Sequence, residues 1–259
     1  MSILLKTIDE RGIATLTLNR PDLHNAFNQE LIAALHETFD ALGKDASVRM
    51  IVLTGNGKSF SAGADLNWMK AAANYTKQEN MADAIALSDM LNAIDSCPKP
   101  VIALVNGTAL GGGVGLISCA DIVISVSTAK FALSEVKFGL IPATISPFVV
   151  RAMGPRVCRR LFVTAEMFDA PTAERYGLVS MVRDDLDVAL EETLSQMLKN
   201  GPDAMVAAKK LVKTVSDKEI NDDMRMETAR NIADRRATDE AKEGLDAFLN
   251  KRKASWIKD

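Results

Sequence analysis

The stretch whose reading decides the fold is "NGTALGGGVGLISCAD", Asn106 to Asp121. The apolar run before it, "KPVIALV", reads as a buried strand, and "GLISCA" reads as a buried helix. Between them stand Gly111, Gly112 and Gly113, with Gly115 close behind. Glycine inside a regular element costs roughly 0.5–1 kcal/mol relative to alanine. Three together at a strand-to-helix junction therefore imply a local need. One candidate need is bare N–H groups at a helix start, which suit a ligand oxygen that becomes negative during a reaction. The other is close packing of helix on strand. The glycines alone fit both equally.

A second junction shifts the balance. "SFSAGADL", residues 59–66, follows another buried strand, "VRMIVLTG", and also turns on small residues. Two such turns can converge on one oxygen, each supplying one N–H.

Working outward, "SILLKTID" and "IATLTLN" alternate as two strands about a turn at Arg11-Gly12. "NQELIAALHETFDAL" places Leu31, Leu35, Phe39 and Leu42 on one helical face. "GNGKSFSAGADLNWMK" reads as a glycine-rich loop, and a helix follows through "MADAIALSDMLNAI". "DIVISV" is a strand, and "AKFALSEV" is a short strand entering a loop. Ser146-Pro147 is the expected N-cap and first-turn pair of the next helix. "PRVCRRLFVT" and "APTAERYG" are helical, and from Asp187 onward the chain is nearly all helix. Strands alternating with helices to about residue 185, then helices alone, predict an α/β core and a helical C-terminal region.

Composition narrows the function. The chain has 259 residues, 47% hydrophobic and 25% charged, with a formal net charge of -3. An acidic balance disfavours a general nucleic-acid binder. Cys97, Cys119 and Cys158 are far apart with no CxxC, so neither a disulfide framework nor a structural zinc site is expected. No metal is expected. The N-terminus lacks the pattern of a signal peptide and no apolar run approaches a membrane span, which together predict a cytoplasmic protein or a matured organellar one. "GNGKS" is not a phosphate-binding P-loop, because Val52 stands where that motif needs its first glycine. No GxSxG surrounds any serine, and neither His24 nor His36 belongs to an HExxH pair.

Taken together, seven segments carry a resemblance that runs nearly end to end. They are "LNRPDLHNAFN", "FSAGADL", "PVIALVNGTALGGGVGL", "CADIVIS", "AKFALSEVKFGLIP", "AERYGLV" and "AFLNKRKASW". In this order they resemble the enoyl-CoA hydratase/isomerase (crotonase) superfamily. The resemblance implies a spiral of ββα repeats over residues 1–195, carrying the CoA and catalytic site. It implies a helical trimerisation region over residues 196–259, with trimers or dimers of trimers. It also implies an acyl-CoA thioester as substrate, with no cofactor beyond the CoA that the substrate carries.

The family's two thioester-holding N–H groups map onto Ala64 and Gly112. Of the two glutamates usual in its hydratases, one maps onto Glu135. The other position holds Gly115, which is expected to remove a like charge and open space near the substrate β-carbon. Without the resemblance, Glu135 would read as a surface glutamate at a strand end. The CoA-contacting segments correspond to Arg20, His24, Ala26, Ala62, Ala64, Asp65 and Leu66, with Gly112 at the thioester. Lys251 and Lys253 are candidates for the CoA phosphates. Asp121 is expected to satisfy loose backbone N–H groups.

"GADLNWMK" and "SEVKFGLIPATISPFV" look most like the bacterial branch that hydrates 3-methylglutaconyl-CoA and isohexenylglutaconyl-CoA. The implied reaction is hydration of such a carboxylated enoyl-CoA, with Glu135 as acid and base. The alternative within the family is a Δ3,Δ2-enoyl-CoA isomerase, for which one carboxylate suffices. The alternative outside it is a CoA- or RNA-binding relative without catalysis. Arg151 and Lys137 lie near these segments in sequence, but the sequence alone assigns neither to a substrate's distal carboxylate.

Overall fold

The computed structural model describes residues 2–257. Its strands alternate between two sheets, and this alternation builds the site. The first elements are β1 (Leu4–Ile8), β2 (Ile13–Leu18), α1 (Gln29–Lys44) and β3 (Met50–Gly55). Next come β4 (Ser59–Ser61), α2 (Leu66–Ala72), α3 (Lys77–Asp95), β5 (Val101–Val105), β6 (Thr108–Leu110) and α4 (Gly112–Ser118). They are followed by β7 (Ile122–Ser125), β8 (Lys130–Ala132), α5 (Ser146–Thr164), β9 (Phe168–Asp169), α6 (Ala170–Arg175) and β10 (Met181–Val182). Four helices complete the described chain: α7 (Leu186–Met197), α8 (Pro202–Val215), α9 (Asp222–Ala237) and α10 (Asp239–Leu249).

The larger sheet runs β1-β2-β3-β5-β7-β10 and the smaller β4-β6-β8-β9. Thus β3–β4, β5–β6 and β7–β8 each leave one strand in each sheet before a helix follows, the expected ββα repeat. β2, β3, β5 and β7 are parallel neighbours. Their continuous burial, complete in β5, is what a parallel sheet covered on both faces requires. Helix α1 buries Leu31, Leu35, Phe39 and Leu42, the face read from its spacing. Asn28 caps it, accepting from the Leu31 N–H.

The segment read as one glycine-rich loop holds two regular elements, the three-residue β4 and the helix α2. Ser146 is the first residue of α5 rather than its cap. Its hydroxyl donates back to the Ala143 carbonyl at 2.7 Å, so it braces the preceding turn. Helix α5 breaks at Gly154 (φ 77°), just before Pro155, where the sequence separates two helical segments. Asp121 does what its position predicts: its Oδ2 accepts from the Val101 N–H at 2.7 Å and ties β7 to β5.

Two compact units emerge, Met1–Cys97 with Val101–Leu190, and Pro98–Pro100 with Glu191–Asp259. Within the second, Glu240 accepts from the Asp203 and Ala204 N–H groups at 2.9 and 2.8 Å, closing the N-terminus of α8. Glu240 is also ion-paired to Arg235. Val212, Ile220, Phe248 and Leu249 are exposed in this unit. Among the described residues, no helix is long and apolar enough to cross a membrane.

Candidate active site

Three neighbouring parallel strands of the smaller sheet, β4, β6 and β8, end on one cavity. Open parallel sheets bind ligands beyond the carboxyl ends of their strands, because the loops there are free to vary. After β4 come Ala62, Gly63 and Ala64; after β6, Gly111 and Gly112; after β8, Ser134 and Glu135. All seven line a cavity of about 300 Å³.

Ala64 is set by the strand-like segment beside it. Phe27 donates its N–H to the Gly63 carbonyl at 2.6 Å, and its carbonyl accepts from the Asp65 N–H at 2.8 Å. Ala64 lies between those bonds, so its own N–H faces the other way. The Gly112 N–H opens α4, where helical N–H groups have no intrahelical acceptor. Among the described residues, neither N–H has a hydrogen-bond partner. The two loops touch: a Cβ built on Gly63 would lie 3.3 Å from the Gly112 nitrogen.

The glycine cluster serves both of the needs it suggested. Gly111 has φ 47°, and a Cβ there would sit 2.9 Å from Glu135 Oε1. At Gly112 a Cβ would sit 2.7 Å from the Phe27 ring. Gly113 lets α4 close on β4, since a Cβ there would stand 2.5 Å from the Ser61 carbonyl oxygen.

Gly115 is different, and the space expected beside it is not there. It opens no space. A Cβ at Gly115 would be well inside contact with Ile145 Cγ2 and 2.9 Å from Ile145 Cβ. The room left by the missing side chain is filled by a buried isoleucine.

Glu135 begins a single 3-10 turn, Glu135–Phe138, directly after β8 and Leu133-Ser134. Burial pushes its carboxyl above the usual carboxylate range, opposed only in part by its own backbone N–H. Its Oε2 is buried without a hydrogen-bond partner. Such an oxygen is costly unless something completes it. Among the described residues, no other charged side chain lines the cavity, and the remaining lining hydroxyls belong to Ser134 and Thr144. Leu66, Phe138, Leu140 and Ile141 line it too and are exposed, whereas Phe27 and Ile145 are buried. The cavity therefore has exposed apolar residues at its rim and buried apolar residues in its lining, together with one carboxylate and two free N–H groups.

Of the other residues singled out in the sequence, Ala62 and Leu66 also line this cavity. Arg20 and Asp65 face each other, with Nη2 to Oδ2 at 2.7 Å, and the Arg20 guanidinium also donates to the Ala26 carbonyl. Burial pushes the Asp65 carboxyl up. Hydrogen bonds from Arg20 and from the Asn67 and Trp68 N–H groups outweigh that and hold it below the usual range. Ala26 is buried, and His24 is exposed with Nδ1 3.0 Å from the Ser59 hydroxyl. Lys251 and Lys253 are exposed and belong to the second unit. Arg151 is ion-paired to Asp95 and lies over the Phe148 ring, and Lys137 is exposed; neither lines the cavity.

The sequence reading passed over Phe27, Ile145 and Asn25. Asn25 is fully buried and bonds the Asn56 and Ser59 carbonyls and the Arg20 N–H, threading the N-terminal loop against β4. The only sequence signal for Ile145 is the unusual "PATISP" turn.

The family profile described as Enoyl-CoA hydratase/isomerase matches residues 9–259. A crystal structure of an enoyl-CoA hydratase from Shewanella pealeana superposes with a TM-score of 0.96 at 42% identity, covering 98% of this chain and 96% of that one. A crotonyl-CoA hydratase from Syntrophomonas wolfei is 34% identical over 96% of this chain and 95% of its own length. A 2,3-dehydroadipyl-CoA hydratase from Escherichia coli is 33% identical, with 97% of each covered.

Proposed function

The chain belongs to the enoyl-CoA hydratase/isomerase family and is a hydro-lyase of that family, and from that premise we propose how it adds water. The substrate thioester oxygen lies between the N–H groups of Ala64 and Gly112. As water attacks the β-carbon, the π electrons of the double bond move through the α-carbon onto that oxygen. The two N–H groups stabilise the resulting enolate, and losing one such donor typically costs about 2.7–4 kcal/mol. The Glu135 carboxylate takes a proton from the attacking water and then delivers one to the α-carbon. The net change is addition of H and OH across the double bond, with Glu135 returned to its starting state. One carboxylate can perform both transfers, and its raised affinity for protons suits the first.

The observation that carries this reading is the convergence of Glu135 and two unpartnered N–H groups on one apolar cavity. Ala62, Ala64 and Leu66 give the CoA arm an edge to follow at the rim. Arg20, Ala26 and Asp65 act by fixing the shape of that edge. His24, Lys251 and Lys253 are exposed candidates for the polar part of CoA. Exposed Val212, Ile220, Phe248 and Leu249 in the second unit support assembly into trimers or dimers of trimers.

For the acyl group, the motif resemblance and the relative named for a carboxylated enoyl-CoA support 3-methylglutaconyl-CoA or a close analogue. A second reading, a neutral short-chain enoyl-CoA, is favoured by the lack of any cationic side chain among the described residues that line the cavity. Turnover of 3-methylglutaconyl-CoA and crotonyl-CoA, with products resolved by chromatography, separates them. Formation of 3-hydroxy-3-methylglutaryl-CoA at the higher kcat/KM supports the carboxylated substrate; the reverse preference supports the neutral one. A 3-enoyl-CoA converted only to its 2-enoyl isomer, with no hydration of either substrate, contradicts both.

A further inference from the structure

On its buried side the cavity is lined by a residue packed against a glycine. Ile145 lines the cavity, is 3% exposed, and lies over the bare Cα of Gly115 in α4. β-Branching leaves Ile145 few rotamers, and its Cβ is as much a part of the contact as its methyl group. Ile145 therefore cannot swing aside without moving the start of α5. Leu91 Cδ2 lies 3.7 Å from the same built Cβ, so the site is enclosed from α3 as well. Around the rim the apolar lining is exposed and free to yield, whereas at Ile145 it is not.

We propose that Ile145, seated on Gly115, is the specificity-determining residue that limits the length of acyl chain the cavity accepts. This rests on the acyl-CoA reading of the cavity but not on hydration. Shortening residue 145 opens space on that side, toward α4. A side chain at 115 has the opposite effect, driving Ile145 into the acyl space.

The test measures binding of saturated straight-chain acyl-CoAs with 4, 8 and 12 carbons, which no hydratase can turn over, by calorimetry. The proteins are the parent, Ile145→Val, Ile145→Ala, Gly115→Ala and the double variant Gly115→Ala with Ile145→Ala. The affinity ratio of the 8-carbon to the 4-carbon ligand is expected to rise in the order Ile, Val, Ala, by about tenfold for Ile145→Ala if two methylenes become buried. Gly115→Ala is expected to lower that ratio, and the double variant to restore it. The valine variant removes one methyl group and keeps the test valid should alanine weaken the fold. Chain-length preference unchanged in Ile145→Val and Ile145→Ala overturns the inference while leaving the acyl-CoA reading intact. Failure of the parent to bind any of the three overturns that reading, and the inference with it.

Discussion

The loops after β4 and β6 present the same group, one unpartnered backbone N–H, yet they are held in opposite ways. The Ala64 loop is fastened by side chains: Arg20 to Asp65, Asp65 to the first turn of α2, and Ser61 to the Asn25 carbonyl. The Gly112 loop is fastened by their absence. Gly111 and Gly113 bring backbone against Glu135 and against the Ser61 carbonyl, and no polar side chain caps α4. The difference teaches that preorganising a donor needs either a polar clamp or direct backbone packing. The two methods fail in different ways when mutated.

Asp65→Ala should be the more damaging change. It strips α2 of its cap and leaves the Arg20 guanidinium beside it without its carboxylate. Breaking a buried pair from one side costs about 3–5 kcal/mol. Chemical denaturation should show a loss near the lower bound, since Arg20 keeps its bond to the Ala26 carbonyl. Unchanged stability would mean that the clamp does not fix the loop. Gly113→Ala should come next, at about 2–3 kcal/mol, because a methyl group has to displace the Ser61 carbonyl. If that variant melts like the parent, α4 has slack that the packing argument denies. Ser61→Ala should cost about 1 kcal/mol, the net worth of one hydrogen bond.

The smallest effect is a dependence on pH. Burial raises the affinity of Glu135 for its proton in the folded state, so folding is opposed once the unfolded chain's glutamate ionises. Stability from this group therefore falls as pH rises from the ordinary carboxylate range through the raised value. Glu135→Gln should gain melting temperature relative to the parent over that interval and should show no gain below it. A gain that shrinks with rising pH would contradict the burial argument.

How far the sequence revealed this contrast follows from its physics. The Gly112 loop was legible because three consecutive glycines between apolar runs have few explanations. The alternation of strands and helices was legible because β3, β5 and β7 are largely buried and rich in β-branched residues. The Ala64 clamp was not. Its partners, Arg20 and Asp65, are 45 residues apart, and only the folded chain brings them together. β4 and β6 were missed because three-residue strands carry too little periodicity. Glu135 was legible only through the family motif, since its burial is a product of tertiary packing. Gly115 was legible as a departure from that motif, but that Ile145 fills the space beside it is a product of tertiary packing.

The most direct test of the central claim is the steady-state hydration rate of the preferred enoyl-CoA by Glu135→Gln, with its binding measured alongside. The account predicts a fall in kcat of about 10²–10⁴-fold, the usual contribution of a positioned acid and base, with affinity for the acyl-CoA little changed. Hydration within a few-fold of the parent would contradict it, because no other charged side chain among the described lining residues is available to move the proton.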